Sequence, residues 1–253
     1  MEKQEIAPVL AAILDVGELM LTSGAEVNRV ENTIQRMGKA YGCTKVDVFT
    51  ITSSIVVTVK TEEGQILTQT RRIYEYATNM GRVESCNRLA RKICGNQLSV
   101  EAFEDEIQKI REDRGYPKWM ILLCYPVIAA SFTVFFGGSG RDFVSSALCG
   151  VLLYTATWLC GFMKLQRVIM TLVCSMVTCG GTVLLQRLGL VDSVDMVIIG
   201  NVMLLIPGIA LTTSLRDMIS GDMISGLLGL CEALIRELAI AAGFALVLLL
   251  FPV

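Results

Sequence analysis

Five apolar segments follow one another after Trp119, over about residues 119–137, 143–163, 168–188, 194–215 and 223–251. Each is near or above the roughly 20 residues that a helix needs to cross a hydrocarbon core. Backbone polar groups in lipid must bond to one another, so helices are what such segments can form. Short polar stretches, "GGSGRD", "KLQR", "LGLVDSVD" and "RDMISGD", separate them. Charge divides along the same line: residues 1–118 hold 16 Lys/Arg and 17 Asp/Glu, and the longer remainder holds 6 and 7. The sequence therefore predicts a polar domain over 1–116 and a transmembrane domain of about five helices over 117–253. They part at "RGYPKW", where Pro117 ends a helix and Lys118 and Trp119 suit a membrane interface.

The polar part reads as a small α+β domain. Ile6, Val9, Leu10, Ile13, Leu14, Gly17 and Leu21 fall at helical spacing, and Val27, Val30, Ile34 and Met37 repeat it on a second helix. Between them "LTSGAEVNRVE" is a stop and restart, in which Ser23 and Glu26 have the spacing of a capping box. "VDVFTI", "SIVVTV" and "ILTQT" are β-branched runs around an "EEGQ" turn and predict three strands. "RRIYEYATNMGRVESCNRLARKIC" predicts a helix through Ile73, Ala77, Met80, Leu89 and Ile93 that stops at Gly95, and "SVEAFEDEIQKIRED" a shorter one.

Met1 to Pro8 is too charged for a secretory signal, so the N-terminal domain is expected in the cytoplasm. Arg111, Arg114, Lys118, Lys164, Arg167 and Arg216 then fall on the inner side and only Arg141 and Arg187 on the outer. An odd number of spans puts the C-terminus outside. Nine cysteines without a CxxC pair, in a chain without histidine, point to packing rather than to a metal or another cofactor. No basic stripe with interleaved aromatics suggests nucleic acid. The bilayer is the first partner expected.

The segment "LLIPGIALTTSLRDMISGDMISG" breaks an apolar run and then charges it. Pro207 removes a backbone donor and crowds the preceding turn, and Gly208 adds freedom beside it. Broken helix at membrane depth is tolerated where protein or a wet cavity supplies partners, as along the solute paths of transporters. Asn201 could add an amide to the same wall. Arg216, Asp217, Gly221 and Asp222 follow, then the small residues Ser225, Gly226 and Gly229, which suit close helix approach. Glu232, Arg236 and Glu237 charge the last segment, where each isolated charge costs about 2.5–3.5 kcal/mol at mid-bilayer. Glu232 and Arg236 can pair at i,i+4. Glu237 is left for a polar lining or a partner charge on another subunit.

The strings "NVMLLIPGIALTTSLRDMISGDMISGLLGLCEAL" and "GELMLTSGAEVNRVENTIQRMGKAYG" resemble the threonine/serine exporter family, the second through Gly24, Glu26, Arg29, Val30 and Glu31. The resemblance implies ion-driven export of small amino acids or dicarboxylates across a bacterial inner membrane. It further implies the larger subunit of a split, two-protein form with a separate small hydrophobic membrane partner. Carried onto this sequence, it marks Asn201, Pro207, Gly208, Arg216, Asp217, Gly221, Asp222 and Glu232. Arg216 is expected to attract an anion or form a gating ion pair, and Glu232 or Asp222 to couple protons, with Arg236 and Glu237 as further candidates.

Two other readings compete. The helices could merely anchor a cytoplasmic sensor or docking domain. Ser23, Glu26, Arg29 and Glu31 could form a hydrolytic site, but serine chemistry usually needs a base and no histidine exists. No catalytic residue is therefore expected. Self-association of the chain stays open.

Overall fold

The computed structural model describes residues 6–74, 76–113 and 115–251. It divides into two compact units, Met1–Gly115 with Ile209–Leu230, and Tyr116–Gly208 with Cys231–Val253. The first unit thus includes a stretch from the charged, broken part of the sequence.

In the first unit α1 (Ile6–Thr22) buries Val9, Leu10, Ile13, Leu14 and Met20, and α2 (Val27–Ala40) buries the stripe Val27, Val30, Ile34 and Met37. Three strands, β1 (Cys43–Ile51), β2 (Ser54–Thr61) and β3 (Ile66–Arg72), form an antiparallel sheet in the order β1-β2-β3. Ile55, Val57 and Val59 alternate along β2 onto the covered face, where α1 meets β2 and β3 and α2 meets β1. α3 (Met80–Gly95) and α4 (Val100–Glu112) complete this core with Cys86, Leu89, Ile93 and Phe103.

Two local expectations fail here. The helix expected from residue 71 onward starts only at Met80, because Asn79 caps it by accepting from the Arg82 amide at 3.0 Å. The Ala77 and Asn79 amides instead donate to the carbonyls of Thr22 and Ser23 at 2.8 and 3.0 Å, lashing this stretch across the end of α1. The capping box does not form either. Glu26 occupies the N-cap position of α2 without a side-chain cap bond, and Ser23 Oγ is buried without a hydrogen-bond partner among the described residues.

The second unit contains α5 (Lys118–Phe135), α6 (Gly140–Phe162), α7 (Arg167–Arg187), α8 (Val194–Val202) and the later part of α10 (Met223–Leu250). Among the described residues four helices, α5, α6, α7 and α10, are long and apolar enough to cross a membrane. The segment expected over 194–215 as a fifth span is broken. It forms α8 and the short α9 (Gly208–Ile219), with a turn over 203–206 and Pro207 between them. Packing is inverted relative to a water-soluble bundle. Thr133, Ser145, Ser146, Cys149, Thr178 and Thr182 are buried, whereas Phe135, Trp158, Phe162, Leu184 and Leu249 are exposed. Small residues inside and large apolar residues outside are what lipid, rather than water, selects.

Candidate functional site

Two helix junctions of the first unit share one backbone design. After α1, Gly24 takes φ +91° while its amide bonds the Leu21 carbonyl and the Ala25 amide bonds that of Met20. After α9, Gly221 takes φ +101°, its amide bonds the Met218 carbonyl, and the Asp222 amide bonds that of Asp217 at 2.9 Å. Both are glycine-terminated helix ends of the Schellman type, in which a side chain with a Cβ would be strained. Asp222 then serves as the residue before α10, its carbonyl accepting from the Gly226 amide at 3.0 Å. Gly226 lets the hairpin close, since a Cβ there would lie 2.6 Å from the Ser214 carbonyl oxygen.

These junctions are joined by a cap that comes from far along the chain. The first amide of α2, on Val27, donates to Asp217 Oδ1 at 3.1 Å, across 190 positions of sequence. Beside it Arg216 Nη1 reaches Glu26 Oε1 at 2.5 Å. Glu26 is therefore drawn out of the capping role that its spacing predicts, and Asp217 supplies the acceptor. One turn into α2, Glu31 accepts from the Thr50 amide at the end of β1 at 2.7 Å. The Thr50 hydroxyl is buried beside the same carboxylate.

Charge here is poorly balanced. Glu26, Glu31, Asp217 and Asp222 share the neighbourhood with the Arg216 guanidinium. Burial pushes the Asp217 carboxyl up to about 6, aided by the charges of Asp222 and Glu26 and opposed by the Val27 amide. Burial also raises Glu31, against its bond from Thr50, and Asp222 adds to the rise. Arg216 keeps 66 % of its side chain exposed, so its guanidinium stays open to an anion from solvent, while Glu26 keeps 16 %. Among the described residues no group of three His, Cys, Asp or Glu side chains is placed to hold a metal ion.

Of the residues singled out in the sequence, Arg216, Asp217, Gly221 and Asp222 thus lie together, with Glu26 and Glu31. The remaining pathway and proton-coupling candidates, Asn201, Pro207, Gly208, Glu232, Arg236 and Glu237, belong to the second unit. Asn201 is fully buried on α8 and donates to Ser146 Oγ and to the Val197 carbonyl, both at 2.9 Å. Thr133 in turn donates to Ser146 at 2.7 Å, and Asn201 Oδ1 is left without a partner among the described residues. Past it the chain runs through successive turn bonds, Leu204 to Asn201 and Leu205 to Val202, before Pro207 and Gly208. On α10 Glu232 and Arg236 form the expected pair. Glu237 follows Arg236 on the same helix.

Sequence reasoning missed the roles of Glu26, Glu31 and Thr50 as parts of one cluster with Asp217. The only available signal was that Glu26 and Glu31 belong to one quoted string and Asp217 to the other.

The family model of the threonine/serine exporters, ThrE, matches residues 11–251. A relative from Escherichia coli strain K12, "Probable succinate transporter subunit YjjP", is 24 % identical over 98 % of this chain and 96 % of its own length. "Probable threonine/serine exporter" of Mycobacterium tuberculosis is 25 % identical over 93 % of this chain and 45 % of its own length. "Threonine/serine exporter" of Corynebacterium glutamicum is 22 % identical over 97 % of this chain and 52 % of its own length. No solved structure matches the chain.

Proposed function

The chain belongs to the threonine/serine exporter family, and from that premise we propose that it is one subunit of a proton-coupled exporter. Its cargo is a small carboxylate-bearing metabolite, threonine and serine or a succinate-like dicarboxylate. The two-subunit reading draws on the Escherichia coli relative, named as a subunit and matched over nearly its whole length. The second subunit is taken to be a small hydrophobic membrane protein. In this reading the pair sits in a bacterial inner membrane with the N-terminal domain in the cytoplasm and the C-terminus outside.

One observation carries the mechanism: Asp217 caps α2 while Arg216 beside it holds Glu26. A substrate carboxylate can take the place of Glu26 on the exposed guanidinium, since a charge-assisted carboxylate bond is what that guanidinium already makes. Glu26 is then left uncompensated near Asp217 and Asp222. A proton taken up by Asp217 removes part of that repulsion, and a carboxyl at about 6 exchanges protons close to neutral pH. Protonated Asp217 still accepts from the Val27 amide, so proton uptake favours the buried, capped arrangement in which its carboxyl is raised. The cluster acts as a gate that closes on proton uptake and loosens on proton loss. Asn201 with its unfilled carbonyl oxygen, and the unwound stretch before Pro207 and Gly208, line the path in the membrane unit. The Glu232–Arg236 pair lowers the cost of charge on α10, and Glu237 is left to face the second subunit.

The test is efflux of labelled succinate, threonine and serine from cells expressing this chain, the small partner, or both. Efflux should require both and fall at least tenfold in Arg216→Ala at equal membrane abundance. Unchanged efflux in that variant would overturn the gate. No transport by any combination that reaches the membrane would favour a membrane-anchored sensor.

A further inference from the structure

A second polar feature of the first unit lies on α2 and α3 and has no part in the gate. Arg29 and Arg36 are seven residues apart on α2, two turns along one face, with Asn32 between them. Asn87 and Arg91 occupy one face of α3, with Val83 one turn before Asn87. These residues line one open cleft of about 600 Å³. None of its three guanidiniums has an ion-pair partner among the described residues. The carboxylate on its wall, Glu84, is engaged by Arg88 at 3.4 Å.

A structural explanation for three arginines around one cleft would be pairing with acids across it, and the described residues do not supply that pairing. A solvated helix face would explain one or two of them, but not their convergence from two helices upon a cavity. From this cleft we infer a binding site for a soluble phosphorylated metabolite of nucleotide size.

The chemistry narrows the ligand in four ways. Planar guanidiniums with fixed donor forks match phosphate oxygens in pairs. The anchor points on α2 stand about 10 Å apart along the axis at 1.5 Å per residue, a spacing that a chain of phosphates can bridge. The volume lies within the roughly 300–1,000 Å³ of small-molecule sites. Val83 and Met80 give the cleft an apolar side against which a planar base can lie; the amide of Asn87 can donate to and accept from its edge, and Asn32, whose amide nitrogen donates to Asn28, can accept. This site goes beyond the exporter reading and does not depend on it.

The experiment is calorimetric titration of the purified full chain in detergent with ATP, with tripolyphosphate and with succinate. A parallel arm uses mixed micelles containing phosphatidylglycerol. ATP should bind saturably at one site per chain, more tightly than succinate by at least tenfold, and more weakly as salt rises. Arg36→Gln with Arg91→Gln should weaken it at least tenfold while the far-ultraviolet dichroism and melting temperature stay those of the parent. Both residues lie outside the gate, so efflux by the double variant without added nucleotide should be retained, which separates failure of this site from failure of the exporter reading. Absence of saturable ATP binding, equal affinity for succinate, or affinity unchanged in the folded double variant would each overturn the proposal. Binding to phosphatidylglycerol micelles alone would overturn it in favour of a membrane headgroup.

Discussion

Two buried carboxylates, Asp142 in the membrane unit and Asp217 in the first unit, meet opposite fates. Asp142 is fully buried and accepts from three backbone amides, those of Ser139, Asp192 and Ser193, at 2.8–3.0 Å. It closes a capping box with Ser139 at the start of α6, where the helix dipole also favours a negative charge. Asp217 sits in the last turn of α9, the unfavourable end for a negative charge, and has one amide partner and two acidic neighbours. A carboxylate whose oxygens are all engaged is a fixture. One that is under-compensated near neutral pH is a group that can change state.

That contrast can be broken most forcefully at Asp142. Asp142→Ala should strand three amides and lower stability by about 3 kcal/mol or more, since each charge-assisted bond contributes about 1.5–3 kcal/mol. Loss of folded protein from detergent extracts, and a lower melting temperature in what remains, would show it. Next in size is Asp217→Asn, which should sever the link between protons and transport without comparable loss of protein. The sign follows from the raised carboxyl. The folded chain binds a proton between about pH 6 and the ordinary aspartate value that the unfolded chain does not, so Asp217 favours the folded state increasingly as pH falls through that window. The parent should gain melting temperature from this group between pH 7 and 5, and Asp217→Asn should lose that gain together with the pH dependence of efflux. An unaltered pH profile would remove the distinction drawn between the two aspartates.

Smaller effects sharpen the picture. Gly229→Ala places a Cβ against the Ser214 side chain and should cost about 1–3 kcal/mol by overpacking the α9–α10 hairpin, read from thermal melts. Ser23→Ala should be the mildest. A true capping serine would cost about 1 kcal/mol on removal, but a buried hydroxyl without a partner should be lost at no cost or a slight gain.

How far the sequence could be read differs between the two regions for a physical reason. The apolar runs that become α5, α6, α7 and α10, and the β-branched runs that become the sheet, are local signals, and each element lies close to its expected bounds. The expected pair of Glu232 and Arg236 lies within one helix turn, so spacing alone reveals it. The helix expected through Ile73 and Ala77 fails because the Ile73 amide bonds the Ser53 carbonyl and the Ala77 amide that of Thr22. Ser23 and Glu26 mislead in the same way. Their spacing is local, but Glu26 is claimed by Arg216, and the Ser23 amide it would serve bonds the carbonyls of Leu19 and Met20 instead. Nothing within a dozen residues of Glu26 announces Arg216.

The cap on Val27 also sets an order of assembly. At about 5–20 residues per second, some 10–40 s of synthesis separate α2 from the aspartate that completes its first turn. During that interval the amino-terminal layer has its sheet and helices but one unfilled amide, and three of the four long apolar helices, α5, α6 and α7, are made before it can be filled. The last of them, α10, starts six residues after Asp217. Closing the junction is therefore a late event on the ribosome, timed with insertion of the final span, and a chain cut before residue 217 would leave the amino-terminal unit permanently open.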